Sequence, residues 1–278
     1  YGKAKITRYA NTGGKLLGGV PTLQDFLGKA YNDTYYYETF SFAPAFSNDS
    51  PVSADTQVAV NIKSSEFFSV SSKATWDKFC TLVSGGSRKL SAKMTADVTE
   101  AVTTMAGTSA SPYQGTFDGQ GHSLNVNLNG GQYVAPFSVI NGATVKNLSV
   151  SGSITPSGKY AAGIASWVTG QSTITGCESK VAITSPVNGD GTHGGLVAVT
   201  TGGAGVNISN CVFSGQMNGT ATNKCGGILG WPSGASTISN CLVTAAFTTS
   251  ASGSATFSRN AGQATINNCY YLNAYGEK

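Results

Sequence analysis

The residues best suited to chemistry in this chain are two histidines, His122 and His193, and the few carboxylates near them. Nucleophilic catalysis needs a base beside its nucleophile. His193 lies in Asn188-Gly-Asp-Gly-Thr-His-Gly-Gly195, where Asp190 and His193 could share a proton or hold a metal together. Two ligands do not make a zinc site, which needs three or four. The plainer reading of this loop is a run of glycines serving positive φ angles. His122 closes Asp118-Gly-Gln-Gly-His122, where the plain reading is a turn histidine bonded to backbone. We assign no catalytic residue, no metal and no cofactor, and retain Asp190 and His193 as ligand-binding candidates.

Glycoside hydrolysis needs two converging carboxylates. Between residues 113 and 278 the acids are Asp118, Glu178, Asp190 and Glu277, and no two share a position in the repeat described below. Trp167 and Trp231 are better placed: each follows a repeat glycine (Gly163, Gly227) by four residues, with Val199 at the equivalent place between them. They should lie two coils apart on one flank, roughly 10 Å from each other at about 4.8 Å per strand. Alternation turns both rings outward, where they could stack on sugars or anchor a protein, or pack under a lateral loop.

These positions come from an internal repeat. Ser172-Thr-Ile-Thr-Gly-Cys177, Val206-Asn-Ile-Ser-Asn-Cys211, Ser236-Thr-Ile-Ser-Asn-Cys241 and Ala264-Thr-Ile-Asn-Asn-Cys269 share one pattern, and Ala143-Thr-Val-Lys-Asn-Leu148 has Leu for Cys. A second column runs through Ala162-Gly-Ile164, Gly194-Gly-Leu196 and Gly226-Gly-Ile228, with Ala135-Pro-Phe137 and Ala255-Thr-Phe257 in the flanking coils. A period near 30 with alternating short segments means a solenoid. Such strands bury a face only by stacking, and identical paths make them parallel. Frequent glycine and β-branched residues exclude an α-solenoid, and a propeller blade needs a longer repeat. The predicted fold is all-β: a right-handed parallel β-helix over 113–278. Ile174, Ile208, Ile238 and Ile266 form its inward column, and Asn147, Asn210, Asn240 and Asn268 form a left-handed turn with Gly176 as substitute. Stacked asparagine amides there could hydrogen-bond in a ladder. Cys177, Cys211, Cys241 and Cys269 stack, and we read them as free thiols packed like small hydrophobes.

Upstream, Trp76, Phe79, Cys80 and Val83 share one helical face over 72–83, and Gly85-Gly86 stops the helix. Leu90, Ala92, Met94, Ala96 and Val98 alternate as one strand. Residues 66–112 therefore read as a capping helix and first strand that close one solenoid end. Residues 1–65 do not repeat and form a separate small domain or an amino-terminal cap. They offer a short helix over 22–31, an aromatic run from Tyr35 to Phe46, and a strand over 57–63.

Net charge is +4 with no basic run, and charged residues make up only 11%. That argues against nucleic acid and anionic membranes as partners. No apolar stretch reaches the length of a membrane span. The start at Tyr1 suggests a trimmed product without its signal peptide.

Met94-Thr-Ala-Asp-Val98 followed by Tyr113-Gln-Gly-Thr-Phe-Asp-Gly-Gln-Gly-His-Ser-Leu124 resembles the opening of the GLUG-motif β-helix proteins, and the later Gly-Gly-Ile/Leu and Ile-Ser-Asn-Cys segments resemble their repeats. The resemblance covers roughly 73–278. It implies an exported bacterial surface protein, often of host-associated anaerobes, and brings no agreed catalytic residues. The function expected is a secreted or cell-surface, non-catalytic, adhesin-like module. Its ligand would be host protein or glycan at Trp167, Trp231, Asp190 and His193. A carbohydrate-active β-helix enzyme and a structural stalk, with oligomers or end-to-end stacking, are the alternatives.

Overall fold

A computed structural model describes residues 2–6, 36–41, 58–65 and 67–277, with side chains from residue 67 onward apart from Ala261. The chain divides into two compact units, Tyr1–Phe68 and Ser69–Lys278. In the first, Val58–Ser65 is the central strand of an antiparallel sheet, flanked by Gly2–Ile6 and Tyr36–Ser41. The strand read over 57–63 is thus present from Val58. The helix expected over 22–31 lies outside the described residues.

The second unit is a parallel β-solenoid. Its first sheet stacks eight strands, ending in Thr144–Lys146, Ser172–Thr175, Val206–Ser209, Ser236–Ser239 and Ala264–Asn267. The register sets Val145, Ile174, Ile208, Ile238 and Ile266 in one column. All are fully buried except Ile266, which is half-buried because the last coil has nothing stacked upon it. Burying each such side chain contributes about 1.5–3 kcal/mol. The strands are short and β-branched because each supplies only one or two inward residues per coil.

A second sheet begins after the Asn corner and a third carries Phe137–Ile140, Ala165–Val168, Val197–Thr200 and Leu229–Trp231. The Asn corner adopts the left-handed conformation in every coil, with φ of 52° at Asn147, 63° at Gly176, 55° at Asn210, 53° at Asn240 and 51° at Asn268. The expected amide ladder is only partly built: Asn268 Nδ2 donates to Asn240 Oδ1 at 2.6 Å, while Asn147 Nδ2 turns to Asp118. The glycine column has a steric cause, since a Cβ on Gly195 would lie 2.0 Å from the Gly227 carbonyl oxygen.

The helix runs Lys73–Ser84 behind a Ser72–Thr75 capping box and ends at Gly85. Trp76 and Phe79 lie edge-on to Phe117, Phe137 and Tyr113 at 5.4–5.7 Å, closing the first coil as solenoid caps must. The single strand expected from Leu90 to Val98 is instead two. Ala92–Met94 joins the first sheet and Val98–Val102 the second. The apolar alternation continues through Thr95–Asp97, but the chain turns a solenoid corner there, which period-two patterning cannot report.

All six cysteines are free, and five are buried. Among the described residues no helix is long and apolar enough to cross a membrane.

Candidate functional site

The glycine column is preceded, in each coil, by a second left-handed corner. Tyr133, Tyr160, Thr192, Lys224 and Gly253 occupy it at φ 60°, 70°, 44°, 53° and 63°. The bridges Val134–Ala161, Ala162–Gly194, Gly194–Gly226 and Gly226–Ala255 place the five in register. Unlike asparagine, tyrosine, threonine and lysine gain nothing from this conformation, which costs about 1–2 kcal/mol for an L-residue. Local hydrogen bonds hold it. Ser138 Oγ donates to the Tyr133 carbonyl at 2.8 Å, and its neighbour in the next coil, Ser166, donates to the Tyr160 carbonyl.

Facing this corner is the outward column of the third sheet, where Trp167, Val199 and Trp231 pair in register. The two indoles therefore do lie two coils apart on one flank, and Ser166 and Gly230 beside them are buried. They differ in setting. Trp231 is 39% exposed and lies 4.9 Å beneath the Arg259 guanidinium. Trp167 is half-buried, donates its Nε1–H to Thr201 Oγ1 at 2.6 Å, and stacks on Tyr133 at 4.6 Å. Tyr133 stacks on Tyr160 in turn at 5.0 Å, giving three nearly parallel rings along the flank.

Two grooves adjoin these rings. One, of ≈ 800 Å³, has Tyr133 and Trp167 as an aromatic wall and Thr104, Thr108, Gln132 and Ser138 among its polar groups. The other, of ≈ 320 Å³, holds Lys159, Asp190, Thr192, Lys224, Trp231 and Arg259. Asp190 accepts from Lys159 Nζ at 2.8 Å and Thr192 Oγ1 at 2.6 Å, with Arg259 at 3.8 Å. Burial alone would raise its carboxyl, but these hydrogen bonds and cations hold it below the usual carboxylate range.

Asp190 and Trp231 thus share a groove, whereas His193 does not reach it. Its side chain is 0% exposed. Nδ1 accepts the Ala161 N–H at 3.0 Å, so the ring proton sits on Nε2 and goes to Ser185 Oγ at 2.8 Å. Burial lowers its pKa to about 4, keeping the ring neutral. A base must accept the nucleophile's proton, and this imidazole donates instead. His193 therefore ties three coil segments together and shares no proton with Asp190. His122, read as bonded to backbone through its ring, points it at Asp97 Oδ1, 3.1 Å away.

Asp118, Glu178 and Asp190 are each paired with a lysine, at 3.3, 3.0 and 2.8 Å. Among the described residues no group of three or more His, Cys, Asp or Glu side chains could hold a metal. Sequence reasoning missed Tyr133, Tyr160, Lys159, Lys224 and Arg259. The signal was present for the corner set. Tyr133, Tyr160, Thr192 and Lys224 each stand two residues before Ala135, Ala162, Gly194 and Gly226, the repeat positions already in hand.

No protein-family model matches the chain, and no curated protein matches it. Among solved structures the chain is similar to a putative immunoglobulin A1 protease from Bacteroides ovatus, at 16% identity and a TM-score of 0.51, over 74% of this chain and 75% of that one. At that identity the likeness concerns the fold.

Proposed function

We propose that this chain is an exported, non-catalytic binding module that takes glycan along the flank of its third sheet. The observation carrying this reading is the Trp167–Tyr133–Tyr160 ring stack beside the ≈ 800 Å³ groove. Aromatic faces with a few hydroxyl and amide groups beside them suit the mixed apolar and polar surface of a sugar. The backbone strain of the tyrosine corner supports the same location, because strained residues gather where ligands are held. Export rests on the GLUG-motif resemblance.

Glycan-array screening of the full chain, followed by calorimetry, tests the reading. Tyr133→Ala and Trp167→Ala should each weaken the ligand found by about tenfold or more while the solenoid still melts cooperatively. Binding unchanged in both variants would move the site elsewhere.

A protease reading has one observation in its favour, the Ser185–His193 contact of 2.8 Å, alongside the name of the structural neighbour. The proton placement on Nε2 argues against it. Immunoglobulin cleaved by the parent chain but not by Ser185→Ala would replace the binding reading.

A further inference from the structure

The smaller groove adds a charge preference to the flank. Three cations, Lys159, Lys224 and Arg259, meet one carboxylate, Asp190. Arg259 is fixed: its Nη1 donates to the Lys224 carbonyl at 2.5 Å and to Thr192 Oγ1 at 3.2 Å, and its side chain is 11% exposed. The guanidinium lies over Trp231, which screens one of its faces from water. Asp190 is committed to Lys159 and Thr192. Lys224 is exposed and forms no ion pair among the described residues, although four other lysines do. The groove is therefore lined by two more cationic residues than acidic ones, beside low-dielectric aromatic walls that strengthen the field.

The backbone gives a second, independent sign. Thr192 and Lys224 are the two non-aromatic side chains at the strained corner, with φ of 44° and 53°. At the opposite corner the same conformation is met by Asn or Gly. A lysine held there at a cost of about 1–2 kcal/mol lines the same groove as Arg259 and Trp231.

We infer that this groove binds the anionic substituent of an acidic saccharide, a carboxylate or a sulfate ester, with Trp231 stacking on the ring that bears it. The inference rests on the glycan reading above and names the ligand class. Lys224 and Arg259 would meet the anion, Arg259 through its planar fork. Asp190 would keep Lys159 and Arg259 oriented when the groove is empty.

The test compares matched oligosaccharides on the full chain by calorimetry: an oligouronate against its carboxyl-reduced form, and a sulfated chain against its desulfated form. At least one anionic member should bind about tenfold tighter than its neutral partner, a typical gain for a charge-assisted contact. Raising salt should erode that difference and leave the neutral affinity in place. Lys224→Asn should cut anionic binding about fivefold, spare neutral binding, and leave the melting temperature no lower, since asparagine accepts the left-handed corner. Uronate and sulfate arms identify which anion is read. Equal affinity for charged and neutral partners, or no effect of Lys224→Asn on the charged ones, overturns the inference while the glycan reading survives. Absence of binding by every saccharide overturns both.

Discussion

If His193 is held neutral inside the solenoid, acid should loosen that coil before it protonates Asp118 or Asp190. The imidazole is fully buried, with both nitrogens engaged by Ala161 and Ser185. Desolvation lowers its pKa from 6.5 to about 4. Between those values the unfolded chain binds a proton that the folded chain does not, so stability rises with pH across the window. Read downward, stability is full above about 6.5, falls as the pH drops, and levels off near 4. The gap converts, at about 1.4 kcal/mol per pH unit, to a loss of about 3 kcal/mol. Two aspartates act lower. Asp118 and Asp190 are held below 3.8, so their stabilisation is present above that value and is lost only as pH falls further. Urea unfolding at a series of pH values between neutral and mildly acidic checks this. The parent should lose stability steadily through the window, and His193→Gln should flatten it. Should His193→Gln fail to fold, the parent's own imidazole resonances decide, since the His193 ring should not titrate near 6.5. A flat stability profile, or a normal titration of that ring, would refute the reasoning.

Three further outcomes follow from the packing. Ile208→Asp sets a carboxylate between Ile174 and Ile238 in a fully buried column and should cost roughly 4 kcal/mol or more. A soluble mutant with unchanged melting would reverse the inward register. A thiol reagent should label half-buried Cys269 first in the native protein and reach all six cysteines only after unfolding. Burial pushes the Cys80 thiol up to about 12 and the Cys225 thiol up to about 11, suppressing the reactive thiolate. Lys224→Asn should raise solenoid stability by up to about 1 kcal/mol, measured by calorimetric melting, because it relieves the left-handed strain at φ 53°.

The solenoid was legible because its repeat is written in residues whose physics leaves few alternatives. An Ile every coil at one inward position must stack on its copies, and the observed register of Ile174, Ile208 and Ile238 follows from that need. The capping helix was legible for the same reason, through Trp76, Phe79, Cys80 and Val83 on one face. The break at Thr95–Asp97 was not, since a solenoid corner keeps apolar alternation while changing sheet. The Trp167–Trp231 alignment was readable by offset from Gly163 and Gly227. His193 was misplaced because a Gly-rich loop in sequence reads as surface, while here Gly191 leaves room for the buried ring and for Thr222 of the next coil. A Cβ on Gly191 would sit 2.7 Å from His193 Nε2.

The two corners of each coil show why the candidate flank was not legible in the sequence. Both corners require positive φ. Where only geometry is at stake, as at Asn147, Asn210, Asn240 and Asn268, the chain uses a side chain that tolerates it. That choice repeats, so it is visible as a motif. At the other corner Tyr133, Tyr160, Thr192 and Lys224 meet the identical requirement with four poorly suited side chains, so no residue repeats and no motif forms. Folding alone would favour Asn or Gly at all four. Their cost is offset at two of the four by the Ser138 and Ser166 hydrogen bonds to the tyrosine carbonyls. The side chains so displayed are also the ones that build the stacked rings and line the basic groove. A position that is conformationally fixed in every coil but chemically different in each is where a solenoid can vary its ligand contacts without altering its path.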